Sequence, residues 1–150
     1  MELRAELTPP VVSSTRIEQL CAAISTIEEL LESGADASAD IAAFNEDTGH
    51  KYEPYHFMTY SSSRNVEDFA LQAARPAWPK VPDVNRDELV EIVRRIQAMD
   101  NDMDYYLLVL ETNTVRPGVS DLIYWPPPHL VDASAEAIVD EALRYRPTAL

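Results

Sequence analysis

Two large aromatics, Tyr124 and Trp125, stand side by side in Ser120-Asp121-Leu122-Ile123-Tyr124-Trp125-Pro126, a segment bounded by Pro117 and Pro126 and carrying one acid, Asp121. Adjacent aromatics bury large areas at low conformational cost and dominate the energetics of protein–protein contacts. Catalysis would want a nucleophile, a base or a metal cluster beside them, and none is there. Residues elsewhere have the chemistry but not the spacing. His50, His56 and His129 are scattered, and His50 and His56 are six residues apart across a proline, which is not a metal-ligand spacing. Ser61-Ser62-Ser63 leads into an apolar helical pattern at Val66 and reads as a loop and cap, since no glycine-flanked turn makes it a nucleophile elbow. Cys21 lies with Leu20, Ala22 and Ile24 on an apolar stripe, where a thiol is a small core residue, and one cysteine forms no intrachain disulfide. With three glycines in the chain, a phosphate-cradling loop is not expected. Neither a metal nor a cofactor is implied.

Charge points the same way. Twelve Lys+Arg against 26 Asp+Glu give a formal charge of −14, which repels phosphate backbones and anionic membranes and favours a basic protein reached by electrostatic steering. The acidity is not a tail: 5 basic against 13 acidic residues before Pro76, and 7 against 13 after it, leave −8 and −6. No apolar run is long enough to span a bilayer, and the first twelve residues lack a basic start followed by an apolar stretch, so a cytoplasmic protein is expected.

The elements that must position these residues are helical. Leu89, Ile92, Val93 and Ile96 follow an i, i+3, i+4, i+7 pattern, and Ile17, Leu20, Cys21 and Ile24 repeat it 72 residues earlier. The same displacement relates Val66, Ala70 and Leu71 to Ile138, Ala142 and Leu143; a displacement of 66 relates Phe44 and Thr48 to Leu110 and Thr114. The shift changes because one loop is longer, and loop insertions cost little. The pattern predicts helices over 15–33, 37–48 and 65–75 with a short third turn between, then over 85–99, 102–114, 120–125 and 134–146, the last capped by Ser134. Tyr105 to Leu110 also reads as a buried strand by periodicity alone. Pro76, Pro79 and Pro82 fall within seven positions and mark a stiff linker. The expected organisation is all-α: a four-helix domain over 1–76, a linker over 77–82 and a second four-helix domain over 83–150.

The segment Ser120 to Pro126 resembles the third helix of the colicin and pyocin DNase immunity proteins, which reads Ser-Asp-Leu-Ile-Tyr-Tyr-Pro and differs only at Trp125. Leu110-Glu111 with Thr114 resembles the end of that family's second helix, and Ala137-Ile138-Val139 through Tyr145-Arg146 its last helix, so the likeness covers about 83 to 147. In the first half, Phe44-Asn45-Glu46-Asp47-Thr48-Gly49-His50 is similar to the family's Phe-Glu-Glu-Met-Thr-Glu-His, which implies a tandem duplication. The resemblance also selects helix for residues 105–110.

The resemblance implies a non-enzymatic inhibitor that binds the nuclease domain of a cognate bacteriocin, of the HNH DNase type, beside its active site and blocks nucleic acid from entering. Tyr124 and Trp125 then supply the shared binding energy, with Ser120, Asp121 and Pro126 completing that segment. On the second helix, Asp100, Met103, Asp104, Leu108 and Glu111 fall where the family chooses among related toxins. A tryptophan at 125 keeps the apolar area but replaces a phenolic hydroxyl by an indole donor. In the first half, Tyr55-His56-Phe57-Met58-Thr59-Tyr60 stands in place of the third-helix motif and Asn45 in place of Glu111, so the nuclease site is not extended there. The residues by themselves also allow a solvated acidic helix start at Asp100 to Asp104, and two other functions: an acidic nucleic-acid mimic or helical adaptor without a dedicated toxin, and a small hydrolase, which no motif supports.

Overall fold

The computed structural model describes residues 1–146, and among them there is no strand: eight α-helices and three short 3₁₀ turns carry the fold. The helices are α1 (Ser14–Glu32), α2 (Ser38–Thr48), α3 (Pro54–Thr59), α4 (Val66–Ala74), α5 (Arg86–Gln97), α6 (Met103–Thr112), α7 (Asp121–Tyr124) and α8 (Ala135–Arg144). The all-α expectation holds, and residues 105–110 are helix.

Local chemistry sets most boundaries. Ser13 and Ser134 accept from the backbone N–H of Arg16 and Ala137, capping α1 and α8. Asn65, rather than any of the three preceding serines, caps α4 through the N–H of Asp68. At α5 the cap is reciprocal: Asn85 accepts from the Glu88 N–H at 2.9 Å, and the Glu88 carboxylate accepts from the Asn85 N–H at 3.1 Å. Gly49 stops α2 in the left-handed region at φ 76°, which costs a glycine nothing.

The chain divides into two compact units, each with its own core. The unit Pro10–Ala77 packs α1 against α2, α3 and α4 around Leu20, Ile24, Ile27, Phe44, Phe57 and Phe69. Phe69 lies at its centre, with the rings of Phe57, Tyr60 and Tyr52 at 5.3, 4.9 and 5.1 Å between centroids.

The second unit packs α5 against α6 and α8, and α7 against α8, around Ile92, Val93, Ile96, Val109, Leu110, Val119, Leu122 and Val139. It is not contiguous in sequence. Met1–Pro9 belongs to it together with the residues from Trp78 onward, which corrects the expected domain of 1–76 and the expected linker of 77–82. Leu7 is completely buried and Leu3 nearly so in this second core. Between them, Arg4 donates to the two oxygens of Glu88 at 2.7 and 3.0 Å and to Asp83 at 2.9 Å. Glu88 is the buried acid whose carboxylate also caps α5, so Arg4 neutralises a charge that burial would otherwise make costly. Residues 79–81 are built in as well. Asn113, at the end of α6, accepts from the Val81 N–H at 2.8 Å and donates to the Pro79 carbonyl at 3.0 Å. Proline spacing marks where the chain stiffens, not which core a distant segment such as Met1–Pro9 joins.

Candidate protein-binding surface

The third helix of the second unit is one turn long and owes its shape to residues on either side. Gly118 adopts φ 63°, and a Cβ built there would lie 3.1 Å from the Asp121 carboxylate, so glycine is needed both for the turn and for the acid to sit over it. Val119 and Leu122 are buried and Ile123 packs on the same core, fixing one side of the turn. The Ser120 carbonyl accepts from the N–H groups of Ile123 and Tyr124 at 3.0 and 3.1 Å, and the Asp121 carbonyl from Trp125 at 2.8 Å. What remains outward is the recognition set. Trp125 is 80% exposed and Tyr124 45%; Asp121 is exposed, and Ser120 and Pro126 are half-buried.

On α6, Asp104, Leu108 and Glu111 recur at i, i+4 and i+7 and therefore share one stripe. Asp104 and Glu111 are exposed. Leu108 is half-buried and stands outside the core, whereas its neighbour Leu107 packs against it. Tyr105 and Tyr106 are both buried; the Tyr106 hydroxyl accepts from Arg95, whose guanidinium also lies over the ring at 5.4 Å. Met103 and Asp100 are half-buried at the start of the helix, where the Asp100 carboxylate accepts from the Asp102 N–H at 2.8 Å and its carbonyl from the Met103 N–H at 3.0 Å.

The two stretches are electrically in touch. The Tyr124 phenol is pushed above its ordinary range, by burial first and then by the charge of Asp104.

Salt bridging separates the acids of α5 and α8 from the candidate site acids, a distinction that composition does not carry. Asp83 and Glu88 pair with Arg4, Glu91 with Arg94 and Arg95, Glu136 with Arg94, Asp140 with Arg86, and Glu141 with Arg144 and His129. These acids lie on or beside α5 and α8. Asp100, Asp104, Glu111 and Asp121 form no salt bridge among the described residues. Among the acids of α6 and α7 themselves, Asp104, Glu111 and Asp121 therefore carry charge that no ion pair among the described residues offsets, and Asp104 acts on Tyr124.

Groups with catalytic potential are engaged in the fold. His50 Nε2 is 2.7 Å from the Arg75 carbonyl oxygen, His56 Nδ1 accepts from the Glu53 N–H at 2.8 Å, and His129 lies 3.4 Å from Glu141. Among the described residues no three His, Cys, Asp or Glu side chains gather as a metal site would require. Burial pushes the Cys21 thiol up, away from thiolate. Among the described residues no helix is long and apolar enough to cross a membrane.

Residues 81–148 match the family described as colicin immunity protein / pyocin immunity protein. No curated protein and no solved structure matches the chain at a significant level.

Proposed function

We propose, on the premise that residues 81–148 are a colicin/pyocin immunity domain, that this chain neutralises the nuclease domain of a cognate bacteriocin by covering a surface beside its active site. Membership in that family carries the coarser part, a bacteriocin immunity role exercised on a toxin partner. The nuclease nature of the partner is the finer part. It is supported by one observation above all: the exposed Tyr124 and Trp125 share their turn with Asp121 and feel the charge of Asp104, two acids that form no salt bridge among the described residues. A nuclease must present a basic face to nucleic acid, and a surface of this composition complements such a face in charge while its aromatics supply area. Tyr124, Trp125, Asp121, Ser120 and Pro126 form the shared anchor in this reading; Asp100, Met103, Asp104, Leu108 and Glu111 select the partner. Inhibition then follows from occupancy and repulsion of phosphate, with no turnover by the chain.

The unit Pro10–Ala77 fits the reading as a diverged copy. The Thr48 hydroxyl donates to the Phe44 carbonyl and the Thr114 hydroxyl to the Leu110 carbonyl, both at 2.8 Å and both at the end of a second helix. The position of Glu111 is taken there by Asn45, whose amide accepts from the Tyr52 N–H and donates to the Tyr52 carbonyl, both at 2.9 Å. That side chain has been turned from recognition to holding a loop.

The test is a titration of nucleic-acid cleavage by the nuclease domain of the toxin encoded beside this gene with the full chain. Stoichiometric inhibition is expected, lost in a Tyr124→Ala/Trp125→Ala variant. Undiminished cleavage at excess wild-type chain would overturn the assignment, and equal inhibition of unrelated DNA-handling proteins would favour the acidic mimic instead.

A further inference from the structure

Both units end their first helix with the same hydrogen-bonded device, and in the second unit the residue type does not suit it. After α1, the Gly34 N–H donates to the Leu31 carbonyl and the Ala35 N–H to the Leu30 carbonyl. After α5, the Met99 N–H donates to the Ile96 carbonyl at 3.0 Å and the Asp100 N–H to the Arg95 carbonyl at 3.1 Å. This 5→2 and 6→1 pairing requires a left-handed residue, at φ 77° for Gly34 and 57° for Met99. Among the described residues the other left-handed positions are Gly49, Gly118 and Asp132, types that adopt this region readily. Met99 is the exception, and its side chain does nothing for the fold to offset the strain: it is 76% exposed.

Strain of this kind persists where function requires the side chain. Met99 adjoins Asp100, whose carbonyl accepts from the Met103 N–H at 3.0 Å, so it extends the α6 end of the surface described above. A long, unbranched thioether adapts to irregular apolar contacts. We infer that Met99 is a toxin-contacting residue, an apolar anchor at the opposite end of α6 from Glu111 that packs against an apolar patch or the aliphatic stems of basic side chains on the partner. The inference rests on the reading that the α6–α7 face binds a nuclease toxin.

A contact of this kind separates stability from affinity, and the experiment exploits that. In the full chain, Met99→Gly relieves the strained backbone and removes the contact. Its unfolding midpoint is expected to rise by about 4 °C, as relief at one left-handed position does in a domain of this size, while affinity for the nuclease domain of the toxin encoded beside the gene falls about 10-fold through faster dissociation. Met99→Leu, which keeps an apolar side chain, should stay within about 3-fold of wild type, the range expected of a volume-conserving exchange. Unchanged affinity in Met99→Gly overturns the contact, and a lower unfolding midpoint overturns the strain argument on which it is built. Trp125→Ala is the reference. If it weakens binding and Met99→Gly does not, this inference alone fails; if neither does, the toxin reading of the whole face fails with it.

Discussion

The two units solve the same packing problem with first helices that bury the same apolar face, yet they spend their exposed residues differently. In the unit Pro10–Ala77 the end of the first helix is Gly34, the acid position of the second helix is Asn45 bonded to its own loop, and the third helix turns Phe57 inward. In the second unit these places hold Met99, Glu111 and the exposed pair Tyr124–Trp125. At the helix end and the second-helix position the first unit carries a residue that serves the fold, where the second carries one that faces solvent. The difference teaches that a recognition surface is legible as a set of departures from what stability alone would select. The third helix of the first unit is not bare, since Tyr55 and Met58 are exposed and the Tyr55 ring stacks on His56 at 4.0 Å, but it lacks the adjacent aromatic pair and the acid.

The comparison can be broken most forcefully through the segment that crosses between units in sequence. Leu7→Ala should remove about 2–5 kcal/mol of stability, the usual cost of truncating a fully buried leucine. Hydrogen exchange should show the loss in α5 and α8 while α1 and α4 keep their protection. An equal loss in α1 and α4 would mean that Met1–Pro9 does not belong to the second core.

Next in size is binding. Alanine at Tyr124 or Trp125 should cost about 2–4 kcal/mol of affinity each, roughly 30-fold to 1,000-fold. Stability should be nearly unchanged, because both side chains are exposed in the free chain. Tyr55→Ala and Met58→Ala should leave inhibition of the same toxin intact, and an effect as large as that of Trp125 would erase the distinction between the third helices.

Gly34→Ala sharpens the contrast at the helix ends. A Cβ at Gly34 meets nothing within 4 Å, so the substitution probes conformation alone. It should destabilise the first unit by about 1 kcal/mol. An unchanged thermal melt would show that the left-handed turn carries little strain, and would remove the argument for Met99 as well.

The smallest effect concerns alkaline pH. Burial pushes the Tyr52 phenol up to about 12, against 10 for the unfolded chain. With the folded value raised, its contribution to the stability of the first unit is fully present below pH 10 and is lost as pH rises toward 12. In the second unit Asp104→Asn should bring the Tyr124 titration back toward the ordinary range, as tyrosinate absorbance would report. No change there would separate α6 from α7 electrically and split the proposed surface in two.

What the sequence determined by itself was local. The 3.6-residue periodicity placed α1, α4, α5 and α8, a serine before an apolar run placed the cap at Ser134, and the proline-bounded Ser120 to Pro126 marked an exposed aromatic turn; residues 105–110 are ambiguous by periodicity and read as helix only through the family resemblance. These features depend on neighbours within about four residues, where backbone geometry leaves few options. Tertiary structure decided which partners distant residues meet. It sent Leu3 and Leu7 to the core of the second unit and Arg4 to its Glu88, used up the acids of α5 and α8 in salt bridges while leaving Asp104, Glu111 and Asp121 without one among the described residues, and converted Asn45 from a counterpart of Glu111 into a loop clamp. Composition counts charges and periodicity counts faces, but neither says which faces and charges come together; that depends on contacts across 84 residues of chain in the case of Arg4 and Glu88.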